Sequence, residues 1–167
     1  ISSNKPKNLT IATACMNREA NLKQAIQSWL KLSPAQIIIC DWGSTIPLTH
    51  KSLGIEKNNE AVVIHRQEAE HWVASWAFNE ALSKVTTKFV LKLDCDHIVS
   101  KDIVKRNKPR AGCFSRGHYK HAKSGQQYIN GAFISCVNIL RRVGYYDERI
   151  TTYGREDGDL YQRLYDI

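Results

Sequence analysis

The sequence predicts an α/β fold built on a mostly parallel central sheet flanked by helices. Two observations carry this. Short β-prone runs alternate along the chain with amphipathic helical stretches. Some of those runs are apolar throughout, as strands buried on both faces must be.

The first run is Leu9-Thr10-Ile11-Ala12-Thr13-Ala14. A helix is expected over 20–32, with Leu22, Ala25, Ile26, Trp29 and Leu30 on one face, Asn17 as its cap and Pro34 closing the unit. Ile37-Ile38-Ile39-Cys40 reads as a buried strand, ended by the turn chemistry of Asp41-Trp42-Gly43-Ser44-Thr45. A third strand is expected over 61–65 and a helix over 71–83, the latter with Trp72 and Trp76 in the core. Phe89-Val90-Leu91-Lys92-Leu93 is the fourth strand, followed by Asp94-Cys95-Asp96. Residues 101–123 read largely as loop, and 128–135 as a strand interrupted at Asn130-Gly131. A short helix through Ile139 and Leu140 should end at Gly144, and a last helix should begin near Arg155.

A chain of 167 residues, 43% hydrophobic and 24% charged, suits a single domain, 1–167. It opens on Ile1 and stops inside a helical pattern, so both ends read as trimmed. No apolar stretch is long enough to span a bilayer. The net charge of +8 favours anionic partners, and much of it lies in 101–123. That segment reads as a solvated basic loop or as a surface for phosphate, acceptor or peripheral membrane contact. No aromatic–basic motif accompanies the charge, so no nucleic-acid partner is expected. Five cysteines without close pairing read as reduced thiols, which places the chain on the cytoplasmic side. Cys113, His118 and His121 lack zinc-site spacing.

In an open sheet of this kind, ligands bind beyond the carboxyl ends of the strands. Asp41 and the Asp94-Cys95-Asp96 segment both sit there. Asp94 and Asp96, one residue apart at a strand end, form a hard anionic pair suited to Mg²⁺ or Mn²⁺ with diphosphate oxygens completing the shell. An EF-hand loop is excluded, because its sixth position would be Val99 instead of glycine. Gly154-Arg155-Glu156-Asp157-Gly158-Asp159 precedes the last helix. Its acids exceed what a helix cap needs, and one of them is a candidate general base toward a hydroxyl.

Taken in order, several segments resemble the inverting family-2-type glycosyltransferases of the Rossmann-like GT-A fold, including the galactosyltransferase-like C-terminal module. The matching pieces are Thr13-Ala14-Cys15-Met16-Asn17-Arg18, Ile38-Ile39-Cys40-Asp41-Trp42-Gly43-Ser44-Thr45 and Ala77-Phe78-Asn79-Glu80-Ala81-Leu82. Asp94-Cys95-Asp96, Asn130-Gly131-Ala132-Phe133 and Tyr153-Gly154-Arg155-Glu156-Asp157 follow. The resemblance implies a metal-dependent transferase that moves a sugar from a nucleotide-sugar donor, usually of the UDP type, to a glycan or other hydroxyl acceptor. It also implies roles. Asp41 would contact the base, Asp94 would lie near the ribose and with Asp96 hold the metal, and Gly131 would sit beside the donor sugar. Asp157 would be the catalytic base and Glu156 would hold the acceptor, while Thr13, Asn17, Arg18 and Asn79 fall in the donor-binding segments. The chain departs from the family where Trp42 replaces a second acid and where Phe78 replaces an arginine. Lys92 or a residue of the basic segment is then the candidate replacement cation. A further metal-ligating histidine, common in the family, would fall beyond Ile167. A nucleotidyltransferase and an inactive nucleotide-sugar-binding relative are the alternative readings.

Overall fold

A computed structural model describes residues 8–126 and 128–167. In chain order the elements are β1 (Leu9–Cys15), α1 (Glu19–Leu30), β2 (Gln36–Trp42), β3 (Val62–Gln67), α2 (Ala74–Ser83) and β4 (Phe89–Lys92). Then come α3 (Ile103–Arg106), β5 (Phe114–Arg116), β6 (Phe133–Cys136), α4 (Val137–Val143) and α5 (Glu156–Tyr165). The six strands form one sheet in the order β3-β2-β1-β4-β6-β5. β3, β2, β1 and β4 are mutually parallel, while β6 runs antiparallel to both β4 and β5.

Side chains alternate across the sheet, and each face finds its own cover. Ile11, Cys15, Ile37, Ile39 and Leu91 pack with Leu22, Ile26 and Trp29 of α1. Ala12, Ala14, Ile38, Cys40 and Val90 pack with α2, α4 and α5 through Phe78, Ala81, Leu140 and Leu160. β1 is buried along its whole length, as the apolar run predicts. Gly144 closes α4 in the left-handed region at φ 79°, as expected for a C′ glycine.

Three local expectations change. Asn17 does not cap α1. It sits in the left-handed region at φ 56°, which asparagine tolerates. Its Oδ1 instead accepts from the Thr45 N–H at 2.8 Å, and its own N–H donates to Ser44 Oγ at 3.0 Å. α2 begins at Ala74, three residues later than expected, because Val73 is extended at φ −126°. The strand expected over 128–135 divides into a 3₁₀ turn, Ile129–Gly131, and β6. The basic segment is largely loop, as expected, with α3, β5 and a 3₁₀ turn at Tyr119–His121 set in it.

Trp29 is fully buried, as expected. Trp72 and Trp76 are not core residues, being 36% and 42% exposed. Each spends its surface on the rim instead: Trp72 sets its ring edge-on to Phe78, and Trp76 Nε1 donates to the Glu148 carbonyl at 2.8 Å. No helix among the described residues is long and apolar enough to cross a membrane.

Candidate active site

A cleft of about 1400 Å³ opens at the carboxyl ends of β1 and β4 and is walled on the far side by the 3₁₀ turn before β6 and the start of α5. Asn17, Arg18, Asp94, Asp96, Gly131, Glu156 and Asp157 all line it. Acids separated by some sixty residues of chain thus meet in one space.

Strand alternation explains the floor of the cleft. Lys92 lies on β4 between Ala12 of β1 and Phe133 of β6, on the face covered by α2 and α5. It is the lone charged residue of that strand and is 1% exposed. Its Nζ donates to Asp94 Oδ1 at 2.7 Å, stands 3.9 Å from Asp157 Oδ1 and sits 3.6 Å from the centre of the Phe78 ring. Burial by itself would weaken the proton affinity of this ammonium, but Asp94 and Asp157 outweigh burial and raise it.

The two carboxylates around Lys92 are driven apart in acidity. At Asp94, burial favours the neutral acid, yet Lys92 and His97 overcome it and hold the carboxyl below its ordinary value. At Asp157, burial prevails over Lys92 and the Tyr146 hydroxyl, so its proton affinity is raised. Tyr146, itself buried, donates to Asp157 Oδ1 at 2.8 Å. Neighbouring acids of unlike acidity are the arrangement that acid–base chemistry requires.

The loop of Asp94 and Asp96 is held from behind. Trp29 Nε1 donates to the His97 carbonyl at 2.8 Å, and the Val99 N–H donates to Ser28 Oγ at 3.1 Å. His97 accepts from the Asp94 N–H through Nδ1 at 3.2 Å, so it caps the turn, as a histidine beside paired acids commonly does. Arg18 Nη2 reaches Asp96 Oδ2 at 2.9 Å across the mouth of the cleft. Gly131 presses on Asp94: a Cβ there would lie 2.5 Å from Oδ2, so only glycine lets the 3₁₀ turn approach the carboxylate this closely. Glu156 lines the cleft but spends Oε2 on the Gly154 and Arg155 N–H groups, both at 2.8 Å.

Three residues expected in the site stand off the cleft. Asp41 is fully buried and accepts from the Ser44 N–H at 3.1 Å, the Leu48 N–H at 3.0 Å and Arg66 Nη1 at 3.0 Å. The β2–β3 register sets Asp41 beside Arg66, and the carboxylate helps to build its own turn. Thr13 is fully buried on β1, and its hydroxyl has no hydrogen-bond partner among the described residues. Asn79 binds the loop after α4, donating from Nδ2 to the Tyr146 carbonyl and Glu148 Oε1 and accepting from the Tyr146 N–H at 2.9 Å.

That last set of bonds places Tyr146, a residue the sequence reading missed. Its only sequence signal is its position two residues beyond the C′ glycine, because its partners Asn79 and Asp157 are distant in the chain. Among the described residues, no group of three His, Cys, Asp or Glu side chains gathers in a metal-holding arrangement.

Solved structures share this architecture. S. aureus TarS 1-349 aligns with a TM-score of 0.70 at 17% identity, covering 95% of this chain and 55% of that one. The same protein in complex with UDP-GlcNAc aligns at 0.68 and 16% identity, covering 95% and 53%. The mannosyltransferase PcManGT from Pyrobaculum calidifontis, in complex with GDP-Man and Mn²⁺, aligns at 0.69 and 15%, covering 94% and 51%. The chain thus spans about half the length of these structures, and at such identities the likeness is one of fold. No curated protein sequence matches the chain. The model of the family described as glycosyl transferase family 2 does match it, over residues 10–111, which is more than half of its length, and the chain belongs to that family.

Proposed function

We propose that the chain, as one domain, is the catalytic core of an inverting glycosyltransferase that moves a sugar from a nucleotide-sugar donor, of the UDP type, to a hydroxyl of a glycan acceptor. The observation that carries this reading is the sharing of one cleft by two unlike carboxylates. Asp94 is held ionised by Lys92, and Asp157 is raised in proton affinity and oriented by Tyr146. The nucleotide-sugar complexes of TarS and PcManGT support the donor class.

Asp157 is the base. Tyr146 occupies its Oδ1, which leaves Oδ2 for the acceptor hydroxyl. The acceptor oxygen attacks the anomeric carbon, its proton passes to Asp157, and the bond to the nucleoside diphosphate breaks on the opposite face, which inverts the configuration. Ordering both substrates in one cleft supplies much of the acceleration. Glu156 steadies the acceptor through its Oε1, while Arg18, Asn17 and Gly131 border the donor. Asp94 and Asp96 are hard oxygen donors on the cleft wall. This donor set fits Mn²⁺ or Mg²⁺ once a diphosphate contributes further oxygens. When bound there, such a cation would neutralise charge on the leaving group. The basic segment 101–123 is the face that meets an anionic membrane surface from the cytoplasmic side.

Asp157→Asn tests the assignment. Removing a general base typically lowers turnover by about 10²–10⁴-fold. The variant should bind UDP and melt as the wild type does, yet transfer sugar at that reduced rate. Near-normal transfer would refute the role of Asp157.

A further inference from the structure

Lys92 is a buried ammonium on a strand whose other residues on the same face are apolar. Burying a cation is costly unless partners compensate it. Two of its partners line the cleft: Asp94, just past the end of its own strand, and Asp157, brought from a distant stretch of chain at the start of α5. The third is the face of Phe78, 3.6 Å away on α2, with the Tyr146 ring behind it at 5.9 Å. The aromatic pair fixes where the ammonium sits, and the ammonium fixes the carboxylates.

We propose that Lys92 is a positioning residue that holds Asp94, on the donor side, and Asp157, on the acceptor side, at a set separation through its own charge. The inference rests on the transferase reading above. At 1% exposure Lys92 lies beneath the acids on the cleft floor, its charge spent on them, and acts through them instead of standing as a free cation for a diphosphate. Without its charge, Asp94, Asp157 and Glu156 are left as unbalanced anions around one space. Asp157 then turns away from the line set by Tyr146.

Lys92→Met keeps the stem volume and removes the charge. Displacing a reacting group by about 1 Å costs about 100-fold in rate, and that loss is expected in kcat. The donor KM should move by no more than about threefold, because this interaction serves the transition state more than ground-state binding. The melting temperature should fall, because removing one partner of a buried ion cluster leaves Asp94 and Asp157 uncompensated.

The second arm relocates the charge. The Phe78 ring lies against Nζ, so an arginine at 78 can return a cation to the same gap. The double variant Phe78→Arg/Lys92→Met should recover at least about tenfold of the lost kcat. A purely structural role for Lys92 gives no such rescue, because the double change disturbs packing further.

A Lys92→Met enzyme with kcat within about threefold of wild type overturns the inference and leaves the transferase reading standing. So does a folded double variant no faster than Lys92→Met. If Lys92→Met does not fold, the double variant decides alone: active supports the proposal and folded but inactive overturns it. Failure of both to fold overturns it too, because Lys92 then holds the fold and not the site. Absence of any sugar transfer by the wild type removes the transferase reading and this inference together.

Discussion

Asp157 gathers in one residue the forces that matter to the site. Burial raises its proton affinity, while Lys92 and the Tyr146 hydroxyl each favour the ionised form and hold the rise in check. A base must be ionised to act, so activity is lost as pH falls through this raised value. The acid limb of kcat/KM is therefore expected above about 3.9, the ordinary aspartate value. Tyr146→Phe removes one of the two influences that lower the value, so the limb should move to still higher pH. A hydrogen bond to a charged acceptor contributes about 1.5–3 kcal/mol, enough to move the limb measurably. A pH–rate profile of the two enzymes measures it, and superimposable acid limbs would contradict this account of Asp157. The two acids affect stability in opposite senses. The contribution of Asp94, whose value is lowered, is present above its unfolded value and is lost as pH falls through the lowered one. That of Asp157 is present below its unfolded value and is lost as pH rises through the raised one.

At the scale of single elements, the turn after β2 separates position from use. The sequence located Asp41 at the carboxyl end of a buried strand, and it is there. Its use was not legible, because its partners are Leu48, seven residues on, and Arg66, one strand over. Asn79 is the same case, with bonds that span 67 and 69 residues to the loop after α4. Asp41→Ala should leave the Ser44 and Leu48 N–H groups without their acceptor, while Arg66 keeps the Ser44 carbonyl and Glu68. An unsatisfied buried group costs about 1–3 kcal/mol; Arg66 is a third exposed and adds less than a buried ion would. Chemical denaturation should show a loss of about 3 kcal/mol, with UDP affinity unchanged below the transition. A stable variant that no longer binds UDP would return Asp41 to the donor site. The glycines behave differently. Gly144 was legible from local chemistry, whereas Gly131 matters because of Asp94, a contact that no periodicity encodes.

Over the whole molecule, alternation of apolar runs and amphipathic stretches was enough for the parallel half of the sheet, β3-β2-β1-β4. The antiparallel half was harder to see. β5 has three residues inside a basic segment, and β6 follows a turn that the pattern merged into one strand. The exposed tryptophans misled for a related reason: helical spacing marks a face but not whether the neighbouring layer covers it. Of the site, the acids at 94, 96, 156 and 157 were legible as types at strand and helix ends. The buried lysine between two of them was singled out in the sequence as a candidate cation, but its pairing with Asp157 was not legible, because that partner lies 65 residues on.

Donor-side and acceptor-side carboxylates share one cleft, and everything proposed for the chain turns on that. The most direct measurement is a crystal structure of the protein with UDP and Mn²⁺. The diphosphate should lie in the 1400 Å³ cleft, with the cation ligated by Asp96 or Asp94 and Asp157 across from it, still bonded to Tyr146. Nucleotide bound elsewhere, or Asp157 turned out of the cleft with nucleotide in place, would contradict it.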